Sequence, residues 1–175
     1  VGTTSGDWYS GRINAQGVPA STMRDGTPKG YAIMQVKNNR YTLEYKVAGA
    51  PDDYQINIYA PKVLAKDKRT SASIFANFFM GTATDKVYCR IDNGDWKPMK
   101  YVVDVDPSFS SVNMQYDLSA TLLDGRRPSV AEPSTHLWIT GIPTKLAAGE
   151  HTIEVKATDM FGKTYTQKST YKIVE

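Results

Sequence analysis

Residues 22–31 read TMRDGTPKGY and set a guanidinium, a carboxylate and an ammonium (Arg24, Asp25, Lys29) among two glycines. A loop of this make-up can handle a phosphate: Arg24 or Lys29 meets the oxygens, and Gly26 and Gly30 let the backbone come close. The same letters also spell a plain turn, with Pro28 fixing φ and Gly30 opening a strand. A nucleotide-binding P-loop is excluded, because the GxxxxGK[ST] spacing is missing and no helix follows. DGRRPS, at 124–129, offers Arg126 and Arg127 as a second fork for a phosphate or carboxylate. The alternative for that pair is a solvated or loop-tying role. His136, beside Leu137 and Trp138, is expected to be a structural hydrogen-bonder, and His151, at a strand start, exposed and inert. Trp8, Asp25, Lys29, Arg126, Arg127 and His136 form the candidate set for a substrate rim or an interface.

Other chemistries find less support. Trp8, Tyr9, Trp96 and Trp138 can stack on the apolar faces of sugars, making a glycan a possible partner, or they can pack into a sheet in the usual way. Asp104, Asp106, Asp117 and Asp124 lie on a long connection, where calcium takes oxygens, but the EF-hand glycine and terminal glutamate are absent. The one cysteine, Cys89, can form no internal disulfide, and no Cys/His spacing suggests zinc. On its alternating strand Cys89 reads as a small buried hydrophobe. No Ser/His/Asp or Cys/His arrangement is defensible, so no catalytic residue and no cofactor are expected in this chain. A net charge of +3, with both signs interspersed, argues against a nucleic-acid partner, which asks for a concentrated basic face. No apolar run approaches the ~20 residues of a membrane span. The start does not read as a signal peptide, and the opening VGTTSGDWYSG reads as a piece of a longer protein.

The elements that must carry these residues are strands. YTLEYKV puts Tyr41, Leu43, Tyr45 and Val47 on one face; VYCRI opposes Val87, Cys89 and Ile91 to Tyr88 and Arg90; HTIEVKA opposes Ile153, Val155 and Ala157 to Thr152, Glu154 and Lys156. SIFANFFMG is nearly continuous in apolar residues, as a strand buried on both faces would be. Turn signals stand at Asn38-Asn39, Asn93-Gly94, Asp124-Gly125 and Phe161-Gly162. Residues 107–131 show no clean period and read as a long connection with at most a short helix. The expected layout is all-β. Residues 1–60 form an irregular segment plus strands, 61–70 a linker, and 71–175 an immunoglobulin- or fibronectin-like β-sandwich.

SGDWYSG, RDGTPKGYAIMQV, RYTLEYKVAGAPDDYQINIYAP, ANFFMGT, YCRIDNGDWKPM, DGRRPSVAEPSTHLW and AGEHTIEVKATDMFGKTYTQKSTYKI follow one another in this order. Together they resemble the C-terminal module of calcineurin-like metallophosphoesterases of the kind found in Bacteroides and relatives. The resemblance implies a parent whose catalytic domain binds two divalent metal ions through DxH, GDxxD, GNH[DE] and GHxH strings, none of which occurs here. Gly6-Asp7 and Gly94-Asp95 lack the continuation, and two histidines cannot supply a two-metal site. The resemblance therefore implies a non-catalytic accessory domain whose partner is the parent's catalytic domain. It implies that residues 1–60 resemble the end of that catalytic domain, with 1–30 along its active-site rim. It also implies a periplasmic or cell-surface location.

Overall fold

A computed structural model describes residues 11–13 and 17–175. In chain order these form β1 (Gly30–Lys37), β2 (Arg40–Val47), β3 (Ile56–Tyr59), β4 (Val63–Ala65), β5 (Ser73–Phe78), β6 (Lys86–Ile91), β7 (Lys97–Pro98) and β8 (Lys100–Val105). A helix α1 (Pro107–Leu118) follows, then β9 (Pro133–Gly141), β10 (Gly149–Thr158) and β11 (Thr164–Val174). The chain divides into two compact units that interleave in sequence: Val1–Asp52 with Val103–Thr135, and Asp53–Val102 with His136–Glu175.

The second unit is a β-sandwich, as the alternating strands imply. One sheet runs β4-β11-β10-β6-β7 and the other β3-β5-β9-β8. Their inner faces meet in a single core. Ile56, Ile74, Ala76, Phe78 and Trp138 come from one sheet, and Val87, Cys89, Ile153, Val155, Tyr171 and Ile173 from the other. Period two creates this core, since β10 turns Ile153, Val155 and Ala157 inward while Thr152 and Lys156 stay half exposed on the outer face, where Glu154 is buried against Arg90. Trp138 contacts Phe78 and Tyr101, with ring centroids 6.2 and 5.4 Å apart. On β5, Ile74, Ala76, Asn77 and Phe78 are all buried, which matches the continuous apolar run of SIFANFF.

Two local expectations change. Residues 61–70, read as a linker, contain β4, which pairs in parallel with the last strand, Ile173 opposite Leu64. The hairpin after β6 turns on Asp92 and Asn93, with φ of 50° and 62°, rather than on Asn93-Gly94, and the Gly94 amide closes it onto the Ile91 carbonyl at 2.9 Å. Aspartate is among the residues that tolerate the left-handed position, and the Asp92 carboxylate is held there by bonds described below.

Among the described residues, the first unit has little apolar core. β1 and β2 form a two-stranded antiparallel ribbon, turning at Asn38 and Asn39 with φ of 49° and 57°. Asparagine tolerates this left-handed pair, so the turn signal in the sequence was direct. Residues 107–118, expected as irregular connection with at most a short helix, form a 12-residue helix. It escapes periodicity because its buried residues are only Phe109 and Asn113. Its start is nonetheless written in the chain: Asp106 caps it, accepting from the Phe109 amide at 2.9 Å, and Pro107 takes a first-turn position whose amide would be unpaired anyway.

Candidate functional site

The two segments singled out for their charges both lie in the first unit. Arg24 reaches across to residues 130–132: its Nε donates to the Val130 carbonyl and its Nη1 pairs with Glu132 Oε1, both at 2.6 Å. The Glu132 amide returns a bond to the Arg24 carbonyl at 3.1 Å. Asp25 closes a local turn by accepting from the Thr27 amide at 2.9 Å. The Met23 amide donates to the Thr27 carbonyl and the Gly26 amide to the Met23 carbonyl. Gly26 sits at φ +87°, and a Cβ there would run into the carboxylate of Asp106. Tyr45 Oη donates to the Pro28 carbonyl at 2.6 Å, pinning the end of the stretch to β2. TMRDGTPKGY is thus a tied turn in which Arg24 and Asp25 are spent on bonds within the unit. Lys29 stays exposed on its surface.

DGRRPS divides in the same way. Arg127 forks onto Asp117 of α1, Nε to Oδ1 at 2.6 Å and Nη2 to Oδ2 at 2.8 Å, and its Nη1 donates to the Pro128 carbonyl. This bond holds the Asp117 carboxyl below the usual carboxylate range and raises the Arg127 guanidinium. Tyr116 Oη binds the Asp124 carbonyl at 2.7 Å, and Asn113 Nδ2 the Ser129 carbonyl at 3.1 Å, so α1 carries the whole loop. Gly125, at φ +82°, lies against the Gly11–Arg12 backbone with no room for a side chain. Arg126 remains exposed beside it.

The remaining candidates lie elsewhere. His136 is buried on β9 in the second unit, its Nδ1 2.7 Å from Asn77 Oδ1. Trp138 is 2% exposed and belongs to the sandwich core. Trp96 lies over the cations of Arg90 and Lys156, each 4.4 Å from the ring centre. Trp8 lies outside the described residues, and so does Tyr9. Among the described residues no three His, Cys, Asp or Glu side chains stand together as metal ligands would. Asp106 is occupied as a helix cap and Asp117 with Arg127. Burial pushes the Cys89 thiol up to about 11, so at neutral pH it is not a thiolate nucleophile.

His151 is the residue the sequence reading missed. It is buried, not exposed. Nδ1 donates to Asp92 Oδ2 at 2.5 Å and Nε2 to the Ala147 carbonyl at 2.8 Å. Two acceptors require two ring protons, so the geometry selects the imidazolium. The Asp92 hydrogen bond first, and the Ala147 carbonyl second, raise the pKa of His151 above its ordinary 6.5. Burial alone would raise Asp92, but the bonds from His151 and the Thr152 amide outweigh it and bring the carboxyl below its ordinary value. The signal was available: His151 shares the parity of Ile153 and Val155, which face the core.

These bonds and this fold define a β-rich module in which Arg24, Asp25, Asp92, Asp106 and Arg127 hold its own loops in place. A family model described as the C terminal of calcineurin-like phosphoesterase matches residues 1–165, and the chain belongs to that family. The domain therefore accompanies a calcineurin-like phosphoesterase domain in its parent. No curated protein matches the chain.

Proposed function

We propose that the chain is a non-catalytic accessory domain of a metallophosphoesterase, whose separate catalytic domain hydrolyses phosphoesters with two divalent metal ions. The observation that carries this reading is the family match over residues 1–165. Among the described residues no three His, Cys, Asp or Glu side chains stand together as a metal pair would need, and Asp106 and Asp117 are committed to a helix cap and an ion pair. The metals and the reacting phosphate belong, on this reading, to the catalytic domain.

Within the accessory role, the first unit supplies the side chains that face the substrate rim. Arg24, Asp25 and Arg127 act as struts. Lys29 and Arg126 are the exposed cations that a phosphate-bearing substrate would meet, attracted by charge as it approaches. The parent is also proposed to be exported to the periplasm or cell surface, a reading that rests on the family resemblance; fractionation of the native host tests it.

Metal-dependent hydrolysis of a chromogenic phosphodiester by the full-length parent, with and without this module, tests the main reading. The intact parent is expected to turn over, the module alone to show none, and Lys29→Ala with Arg126→Ala in the parent to raise KM more than they lower kcat. Turnover by the module alone would sink the accessory role. An unchanged KM in the double variant would remove Lys29 and Arg126 from the rim.

A further inference from the structure

A cavity of about 510 Å³ opens between the two sheets of the sandwich, a size within the ~300–1,000 Å³ range of small-molecule sites. Ile74 of β5, Cys89 of β6 and Ile142, just past β9, form its depth, and all three are buried. Ile91 and Leu146, partly buried against the same core, extend the apolar wall. The whole lining belongs to the second unit.

Four charged side chains stand in that lining, and two of them are already spent. Arg90 binds Glu154 and lies over Trp96. Asp92 holds His151 and the Thr152 amide. Asp95 and Lys97 are exposed and make no ion pair or hydrogen bond among the described residues. Thr140 shares the strand parity of Trp138 and Ile142, which face the core, and its hydroxyl has no partner among the described residues either. An apolar interior with a few convergent polar groups is the general form of a small-molecule site.

These groups narrow the occupant. One free carboxylate and one free ammonium cancel, so the mouth fits a ligand of no net charge that carries both signs. A phosphate monoester, strongly anionic, would meet one free cation and the carboxylates of both Asp92 and Asp95. Among the described residues no aromatic ring lines the cavity, so a sugar finds no face to stack on. The apolar depth asks for a hydrocarbon body, which water gives up readily.

We propose that this cavity binds a small zwitterion with an apolar body, the chemistry of a free apolar amino acid or of a short apolar peptide. Its ammonium meets Asp95, its carboxylate meets Lys97 and the Thr140 hydroxyl, and its hydrocarbon part lies against Ile74, Cys89 and Ile142. The site is separate in chemistry from Lys29 and Arg126 and does not depend on the phosphoesterase reading.

The test is calorimetric titration of the full-length parent with L-leucine and with leucyl-leucine. Three controls each lack one feature: glycine lacks the body, isoamylamine the carboxylate, and 4-methylvalerate the ammonium. At least one zwitterion with a body is expected to bind about tenfold or more tighter than every control. Preference for leucine would assign a free amino acid, and preference for leucyl-leucine a peptide. Asp95→Asn and Lys97→Gln, both at exposed positions that folding does not need, are each expected to weaken that binding by about tenfold. No binding of either zwitterion, equal binding of any control, or unchanged affinity in both variants would each overturn the proposal.

Discussion

The sandwich and the ribbon-bearing first unit solve the problem of stability by different means. In the sandwich, Ile74, Leu137, Ile153 and Val155 are fully buried, and the inner strands β11, β10, β6, β5 and β9 are each flanked on both sides. Among the described residues of the first unit the buried apolar ones are few, chiefly Met23, Ala32, Tyr45, Val47 and Phe109. Directed bonds take their place: Arg24 to Val130 and Glu132, the Phe109 amide to Asp106, Arg127 to Asp117. Apolar burial is indifferent to exact geometry and makes a unit that is stable by itself. Polar ties hold only when their geometry is kept, and exposed ones contribute little. The described part of the first unit is therefore held more by directed bonds than by burial.

The largest test of that contrast is Trp138→Ala, which removes a 2%-exposed ring from the sandwich core. It should cost about 4 kcal/mol in urea unfolding followed by circular dichroism. A loss below about 1 kcal/mol would mean that the core is loosely packed and the contrast is false. Gly26→Ala comes next. It strains a φ of +87° and presses on the buried Asp106 carboxylate, with an expected cost of about 2 kcal/mol. Faster amide exchange should appear in 22–28 and the first turn of α1 and not in β10. Exchange that rises equally in β10 would show the units to be one cooperative body.

His151→Gln is smaller and depends on pH. At its most favourable pH the loss should be about 2 kcal/mol, the scale of hydrogen bonds to charged groups. His151 has its pKa raised in the folded protein, so its contribution is full below the ordinary value of 6.5 and fades as pH rises through the raised value. Asp92 has its pKa lowered, so its contribution is present above its ordinary 3.8 and is lost as pH falls through the lowered value. The difference in melting temperature between wild type and His151→Gln should thus be wide near pH 5 and narrow toward pH 9. A constant gap would show that His151 works by shape alone. Smallest is Arg127→Gln, which breaks an exposed fork. Melting should hardly move, while a nonspecific protease should cut residues 119–126 faster. A clear fall in melting temperature would make this loop a structural mainstay of the first unit.

The strands were the legible part. Alternation fixed which side of β6 and β10 faces inward, and Asn38-Asn39 announced its turn. The helix was hidden because α1 buries only Phe109 and Asn113, leaving no stripe for periodicity to detect, although Asp106-Pro107 marked its start. The parity of His151 marked it as inward-facing, but its partner was hidden, since Asp92 lies far away in sequence and only sheet pairing brings the two together. The interleaving of the units was invisible for the same reason, since no local composition marks residues 103–135 as belonging with 1–52. Of the candidate site, the charges could be named from the sequence. Which of them are tied down, as Arg24 and Arg127 are, depends on contacts across about a hundred residues in one case and ten in the other.

β11 is translated after every other strand, yet it lies between β10 and β4 in its sheet. A ribosome that has made everything through β10 has therefore released a sheet with a gap, and β4 has nothing to pair with. The inward side chains of β11, Tyr165, Tyr171 and Ile173, supply one edge of the core and arrive only as the last strand leaves the exit tunnel. The sandwich should thus gain protease resistance in one late step of synthesis, visible as sensitive chains stalled before Thr164 and resistant chains stalled well beyond Val174.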